Sequence, residues 1–144
     1  MKRATFLMLC LVISGTALAM AGRNFSRRTD DFPAFWKKFK SAVISRDKKT
    51  IAALSRFPIS MSNGVSNISN SAELGRRFGE VFDQDTNAAQ CFAETEPTAD
   101  TESPDRFIVT CPNKGDNFVV YEFEQTKVGW KFIHRQFPTK CGCR

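Results

Sequence analysis

Residues 118–137 read FVVYEFEQTKVGWKFIHRQF. Tyr121 and Phe123 alternate with Glu122 and Glu124. Beyond the loop QTKVG, Trp130, Phe132 and His134 share one alternating face if the last strand is regular. Period-two alternation on both sides of a short glycine-containing loop is the pattern of a β-hairpin with one face buried. Strands are therefore expected over 117–124 and 129–137. Working upstream, further strands are expected over 106–111 and 88–94. The turn PNKGDN (112–117) and the acidic loop ETEPTADTESPD (94–105) separate them. The C-terminal half thus reads as an antiparallel meander of about four strands.

The N-terminal half has a different period. In DFPAFWKKFKSAVISR, Phe32, Phe35, Trp36, Phe39 and Val43 fall on one helical face, and Lys37, Lys38 and Lys40 fall largely away from it. Asp30 or Asp31 can cap this helix, and Pro33 is tolerated in its first turn. Asp47 suits the cap of a second helix over 48–55. A short strand is expected at 57–61, followed by the polar loop SMSNGVSNISN. Asn70 and Glu73 then have capping-box spacing at the head of a third helix that runs to residue 82. Helices followed by strands predict an α+β domain.

The chain has 144 residues and a formal charge of +6. Its first residues combine Met1-Lys2-Arg3, the apolar run FLMLCLVI and small residues ending in Ala19 and Ala21. These are the parts of a secretory signal peptide, with an apolar run too short to span a bilayer. Cleavage after either alanine leaves a mature chain of about 123–125 residues with no transmembrane segment. Loss of Lys2 and Arg3 lowers the charge from +6 to +4. The expected organisation is a signal peptide over 1–21, a mobile basic leader over 22–30 and one domain over 31–144. The expected location is periplasmic or extracellular.

The order FPAFWKKFKSAVISRDKKTIAALSRFPIS, SAELGRRFGEVFDQ, FVVYEFEQTKVGWKFIHRQF resembles small exported proteins of the nuclear-transport-factor-2-like (NTF2-like, cystatin-like) type. The points of likeness are Phe35, Trp36 and Phe39, the Asp47 cap, Phe57-Pro58 and Gly129-Trp130-Lys131-Phe132. The resemblance implies helices packed into the concave side of a strongly curved sheet, forming a cone. That superfamily hosts isomerases, dehydratases, binding modules and immunity proteins, so the fold alone implies no activity.

Chemistry is constrained by what the chain contains. A single histidine, His134, excludes a three-histidine zinc site. It is a candidate general base if it lines the cone, and otherwise an ordinary partly buried histidine. Trp36, Phe39, Trp130, Phe132 and His134 are the candidate lining of a cone pocket. The acids at 94–105 match no EF-hand spacing and read as a solvated loop. No G-x-S-x-G elbow is present. No cofactor or metal is expected. The modest charge, with aromatics at core spacing, disfavours nucleic-acid binding. The fourteen phenylalanines read first as core and second as an apolar ligand pocket.

After signal removal four cysteines remain: Cys91, Cys111, Cys141 and Cys143. An even count in an exported chain reads as disulfides. The meander places Cys111 opposite Phe118, and Phe118 opposite Gln136. Cys91 lies near 108–111, and all four sulfurs fall within reach at one sheet end. Pairing 91–111 with 141–143 is one possibility. The two pairings that tie the tail to the sheet are slightly favoured, because a Cys141–Cys143 ring is strained. The functional expectation is a small exported binding module for a protein or small apolar ligand, an inhibitor or immunity protein being one version. The alternatives are an acid/base enzyme using His134 and a thiol-redox accessory protein using Cys141 and Cys143.

Overall fold

A computed structural model describes residues 31–62, 64–113, 115 and 117–137. The expected signal peptide, the basic leader, Cys141 and Cys143 lie outside the described residues. Helix α1 spans Phe32–Ile44 and buries Phe32, Trp36, Phe39, Ala42 and Val43; of the expected stripe Phe35 stays partly exposed, and Ala42 joins it. Asp31 occupies the N-cap position but its side chain makes no capping bond. The helix ends in a Schellman turn, in which Asp47 N–H donates to the Ala42 carbonyl and Arg46 N–H to that of Val43. Arg46 takes the left-handed position, with φ of 58°.

Helix α2 spans Lys48–Ala53, capped by Asp47, which accepts from the Thr50 N–H and hydroxyl. It stops short of residue 55 because strand β1 begins there, spanning Ser55–Met61. The single helix expected over 70–82 is two: α3 over Ser71–Arg76 and α4 over Phe78–Phe82. Arg77 stands at the junction. Its guanidinium forks onto Glu80 and also bonds Glu73 and the carbonyls of Ser66 and Asn67, tying the polar loop to both helices.

The strand expected over 88–94 is instead helix α5, Ala88–Glu94. Asn87 caps it by accepting from Gln90 N–H, and Ala88, Cys91 and Phe92 are buried at helical spacing. A two-residue strand, β2 (Thr98–Ala99), forms inside the acidic loop. Strands β3 (Arg106–Pro112), β4 (Phe118–Thr126) and β5 (Gly129–Gln136) complete the sheet. The order is β1-β5-β4-β3-β2. The fold is α+β as expected, but the sheet has five strands and is mixed, because β1 runs parallel to β5. Pro58, which follows a cis peptide bond, is tolerated in β1 because this is an edge strand with an irregular register.

The observed register differs from the expected one. Cys111 faces Val119, and Val120, not Phe118, faces Gln136. The β4–β5 hairpin closes tightly, with Thr126 opposite Gly129 (φ 104°), and a bulge adds Ile133 to β5 between the Phe132–Phe123 and His134–Glu122 pairs. A bulge of one residue reverses the facing of everything beyond it. Trp130 and Phe132 face the helices, whereas His134 lies on the opposite face and Arg135 turns inward.

The space between helices and sheet is filled. Phe39, Phe82, Phe92, Phe123 and Phe132 are each at most 1% exposed. The Phe39 ring lies 5.1 Å from Phe123, 5.5 Å from Phe132 and 6.2 Å from Phe92. Tyr121 stacks on Phe82 and donates its hydroxyl to the Val81 carbonyl at 3.0 Å. Burial pushes its phenol well above the usual range. Beside it Arg135 is 2% exposed, its Nη2 on Asp85 Oδ2 at 2.5 Å and its Cζ 4.6 Å from the centre of the Phe137 ring. No helix among the described residues is long and apolar enough to cross a membrane.

Candidate functional site

The first turns of α1 and the strand pair β2–β3 meet along an aromatic seam. Phe32 stacks on Phe107 with ring centroids 3.8 Å apart and planes 7° from parallel. Trp130 meets the edges of both, 4.8 Å from Phe32 and 5.4 Å from Phe107. Trp36 is wedged against Phe92 and Phe123, at 5.1 and 5.8 Å. These rings are held by several neighbours, so the wall they present is preorganised.

Above that wall lies an open groove of about 550 Å³, lined by Phe32, Pro33, Trp36, Lys37, Lys40, Glu96, Pro97 and Phe107. A concavity of this size with an apolar floor and a few placed polar groups has the anatomy of a ligand site. The polar groups are specific. Glu96 accepts from the Trp36 indole N–H through Oε2 at 3.1 Å, and from Lys40 through Oε1 at 3.0 Å. The Lys40 ammonium also lies 5.6 Å from the centre of the Trp36 ring. Glu96 thus pins the loop before β2 to α1 and fixes one rim. Lys37, on α1 like Lys40, also lines the groove and is exposed.

The expected pocket lining separates into three places. Trp36 lines the groove with one edge and Trp130 backs it, each 4% exposed. Phe39 and Phe132 are completely buried in the core. His134, expected to share the face of Trp130 and Phe132, sits across the sheet, with Nδ1 3.4 Å from Glu122 Oε2. An acid/base centre built on His134 inside the cone therefore lacks its geometry. Phe32 and Phe107, the two rings that make the groove, were not singled out from sequence. In the sequence Phe32 is one more residue of the α1 stripe, and the half-buried Phe107, second in β3, carries no local sign of its partner.

Cys91 bonds Cys111, joining α5 to β3. This corrects the favoured tail-to-sheet clasp, in which each would have paired with a tail cysteine. As a strand, residues 88–94 would not hold Cys91 over β3; as helix α5 packed on β3, they bring Cys91 directly against Cys111. A second, more polar cleft of about 500 Å³ borders this disulfide between Thr86, Gln90, Thr95 and Asn113. Among the described residues no group of three or more His, Cys, Asp or Glu side chains is placed to hold a metal ion.

No family model matches the sequence, and no curated protein is similar to it. Solved structures of similar fold exist at low identity. An NTF2-like protein with a cystatin-like fold from Novosphingobium aromaticivorans is 11% identical, with 81% of this chain and 84% of that one covered and a TM-score of 0.48. An NTF2-like superfamily protein from Salmonella enterica serovar Typhimurium is 10% identical, covering 82% of this chain and 96% of its own, with a TM-score of 0.47. A Mycobacterium tuberculosis protein solved in complex with estradiol-17β-hemisuccinate is 14% identical over 76% of this chain and 93% of its own, with a TM-score of 0.46. The chain is thus similar to NTF2-like, cystatin-like α+β proteins.

Proposed function

We propose that this chain is a small exported binding module that takes an apolar or aromatic group of its partner into the groove between α1 and β3. The observation that carries this reading is a contrast between two places. The cone interior is occupied by the protein's own phenylalanines, whereas an open groove remains between α1 and β3, floored by the half-buried Phe107 and by the edges of the otherwise buried Phe32 and Trp36. Apolar surface held open by a rigid frame favours an incoming apolar group without a cost of rearrangement. Export rests on the signal-peptide pattern, and the Cys91–Cys111 disulfide is compatible with an oxidising compartment.

Titration with the fluorescent aromatic anion 8-anilinonaphthalene-1-sulfonate tests the reading. Saturable binding to the native chain is expected, with loss of binding in Lys37→Trp, which adds an indole to the rim without touching the core. Unchanged binding in that variant would place the dye elsewhere and contradict the assignment.

A further inference from the structure

Strand β2 ends the sheet, and what it leaves unpaired lies next to the groove. Thr98 pairs with Ile108, and Asp100 N–H donates to the Arg106 carbonyl at 3.0 Å. Alternation along a strand therefore turns the N–H and C=O of Ala99 away from β3, toward the open edge. Ala99 lies opposite Phe107, and cross-strand partners share a face. A residue paired to Ala99 from outside would project its side chain on the face where Phe107 stacks on Phe32. Pro97, just before β2, already lines the groove. The free edge and the apolar groove are thus one continuous surface.

The loop that carries the edge is acidic, while Lys37 and Lys40 stand on the α1 side of the groove. From Glu94 to Asp105 the chain carries five carboxylates and no lysine, arginine or histidine. Glu96 is engaged by Trp36 and Lys40. Glu102 and Asp105 are exposed and have no ion-pair partner among the described residues. The neighbouring cation, Arg106, is held by Glu124 at 3.2 Å. Short length is one way natural proteins blunt an edge strand. An edge blunted only for solubility does not require an aromatic groove beside it, however, nor unpaired carboxylates in the loop that follows it.

We propose that the partner is an extended cationic peptide segment. It pairs as a sixth strand on the edge of β2, inserts an apolar side chain into the Phe32–Trp36–Phe107 groove and sets its cations against Glu102 and Asp105. This rests on the groove reading above and names the class of partner. Main-chain pairing supplies affinity in such strand addition, and the pocket for one side chain supplies selectivity.

The test uses the full mature chain and a fluorescein-labelled nonapeptide of threonines with one central phenylalanine and three arginines, followed by anisotropy. Saturable binding is expected, weakened about tenfold or more by N-methylating the backbone on the pairing side, because a lost hydrogen bond and a steric block act together. Replacing the arginines by glutamates should weaken it at least as much, and so should the chain variant Glu102→Lys/Asp105→Lys. Ala99→Pro, which deletes the outward N–H, should weaken the peptide while leaving the anilinonaphthalene dye unaffected. If the dye binds and is lost in Lys37→Trp but the peptide does not bind, or binds equally well when N-methylated or acidic, this proposal is wrong and the groove reading stands. If neither dye nor peptide binds, both fall.

Discussion

Phe32 lies flat on Phe107, joining the first turn of α1 to the start of β3 at a centroid distance of 3.8 Å. The contact has two roles, closing the edge of the core and forming the floor of the groove. Phe107→Ala should therefore cost about 2 kcal/mol of stability, below the fully buried range because Phe107 is half-buried. It should also abolish dye binding. Urea unfolding with a parallel dye titration checks both. Loss of stability with intact binding would separate the floor from the site.

Arg135 and Asp85 should respond unequally to mutation. Arg135 is 2% exposed, whereas the Asp85 side chain is 29% exposed. Removing Asp85 strands a buried guanidinium, so Asp85→Asn is expected to cost about 3 kcal/mol or more. Arg135→Met leaves Asp85 with access to water and fills similar volume, so it should cost clearly less. Chemical denaturation of the two variants checks the order, and the reverse order would contradict the electrostatic account.

His134 should be dispensable for binding. Its partner across the strands is Glu122, on the face turned from the groove and core. His134→Ala should shift stability by less than about 1 kcal/mol and leave dye affinity unchanged. A tenfold loss of affinity would return His134 to the site.

Acid should weaken the fold below about pH 4.5. The ordinary values of Asp47 and Glu73 are 3.8 and 4.5, and both carboxyls are held lower in the folded chain, by the Thr50 hydroxyl and the Ser69 backbone N–H respectively. Glu80 is held low by Arg77. Groups depressed by folding contribute stability fully above their unfolded values and lose it as pH falls through the folded ones. Stability should be flat from pH 7 to 5 as far as these groups decide it, then decline. Arg77→Met should make that decline shallower, as thermal melts across the range would show.

The disulfide should be mappable and stabilising. A proteolytic digest under non-reducing conditions should yield one peptide pair linking Cys91 to Cys111. The Cys91→Ala/Cys111→Ala variant should lose about 3 kcal/mol, the loop-entropy value for a sequence separation of 20. A linkage of either cysteine to Cys141 or Cys143 would restore the tail clasp.

Much of the fold was readable because its periods were long enough to be unambiguous. The stripe Phe32, Trp36, Phe39, Val43 fixes α1, and the alternation through Tyr121 and Phe123 fixes β4. What escaped was short or non-local. Ala88–Glu94 is too brief for its period to decide between helix and strand, although Asn87 before an alanine-rich run was an available capping signal. The single extra residue at Ile133 reversed the facing of His134 and Arg135, and nothing in the local residue types announces it. The parallel pairing of β1 with β5 and the stack of Phe32 on Phe107 both join segments far apart in the chain. The candidate site depends on the second of these, so the groove could be seen only once the chain was folded.

The most direct test of the groove is amide and indole chemical-shift mapping on the ¹⁵N-labelled chain with the anilinonaphthalene dye. The two tryptophans supply separate indole N–H signals, and that of Trp36 is bonded to Glu96 in the groove. The account predicts that the Trp36 indole and the amides of Lys37, Glu96 and Phe107 shift on titration, while those of Tyr121, Glu122 and His134 stay in place. Shifts centred on Tyr121, Phe132 and Phe82, with the Trp36 indole unmoved, would mean that the cone opens to ligand and would contradict it.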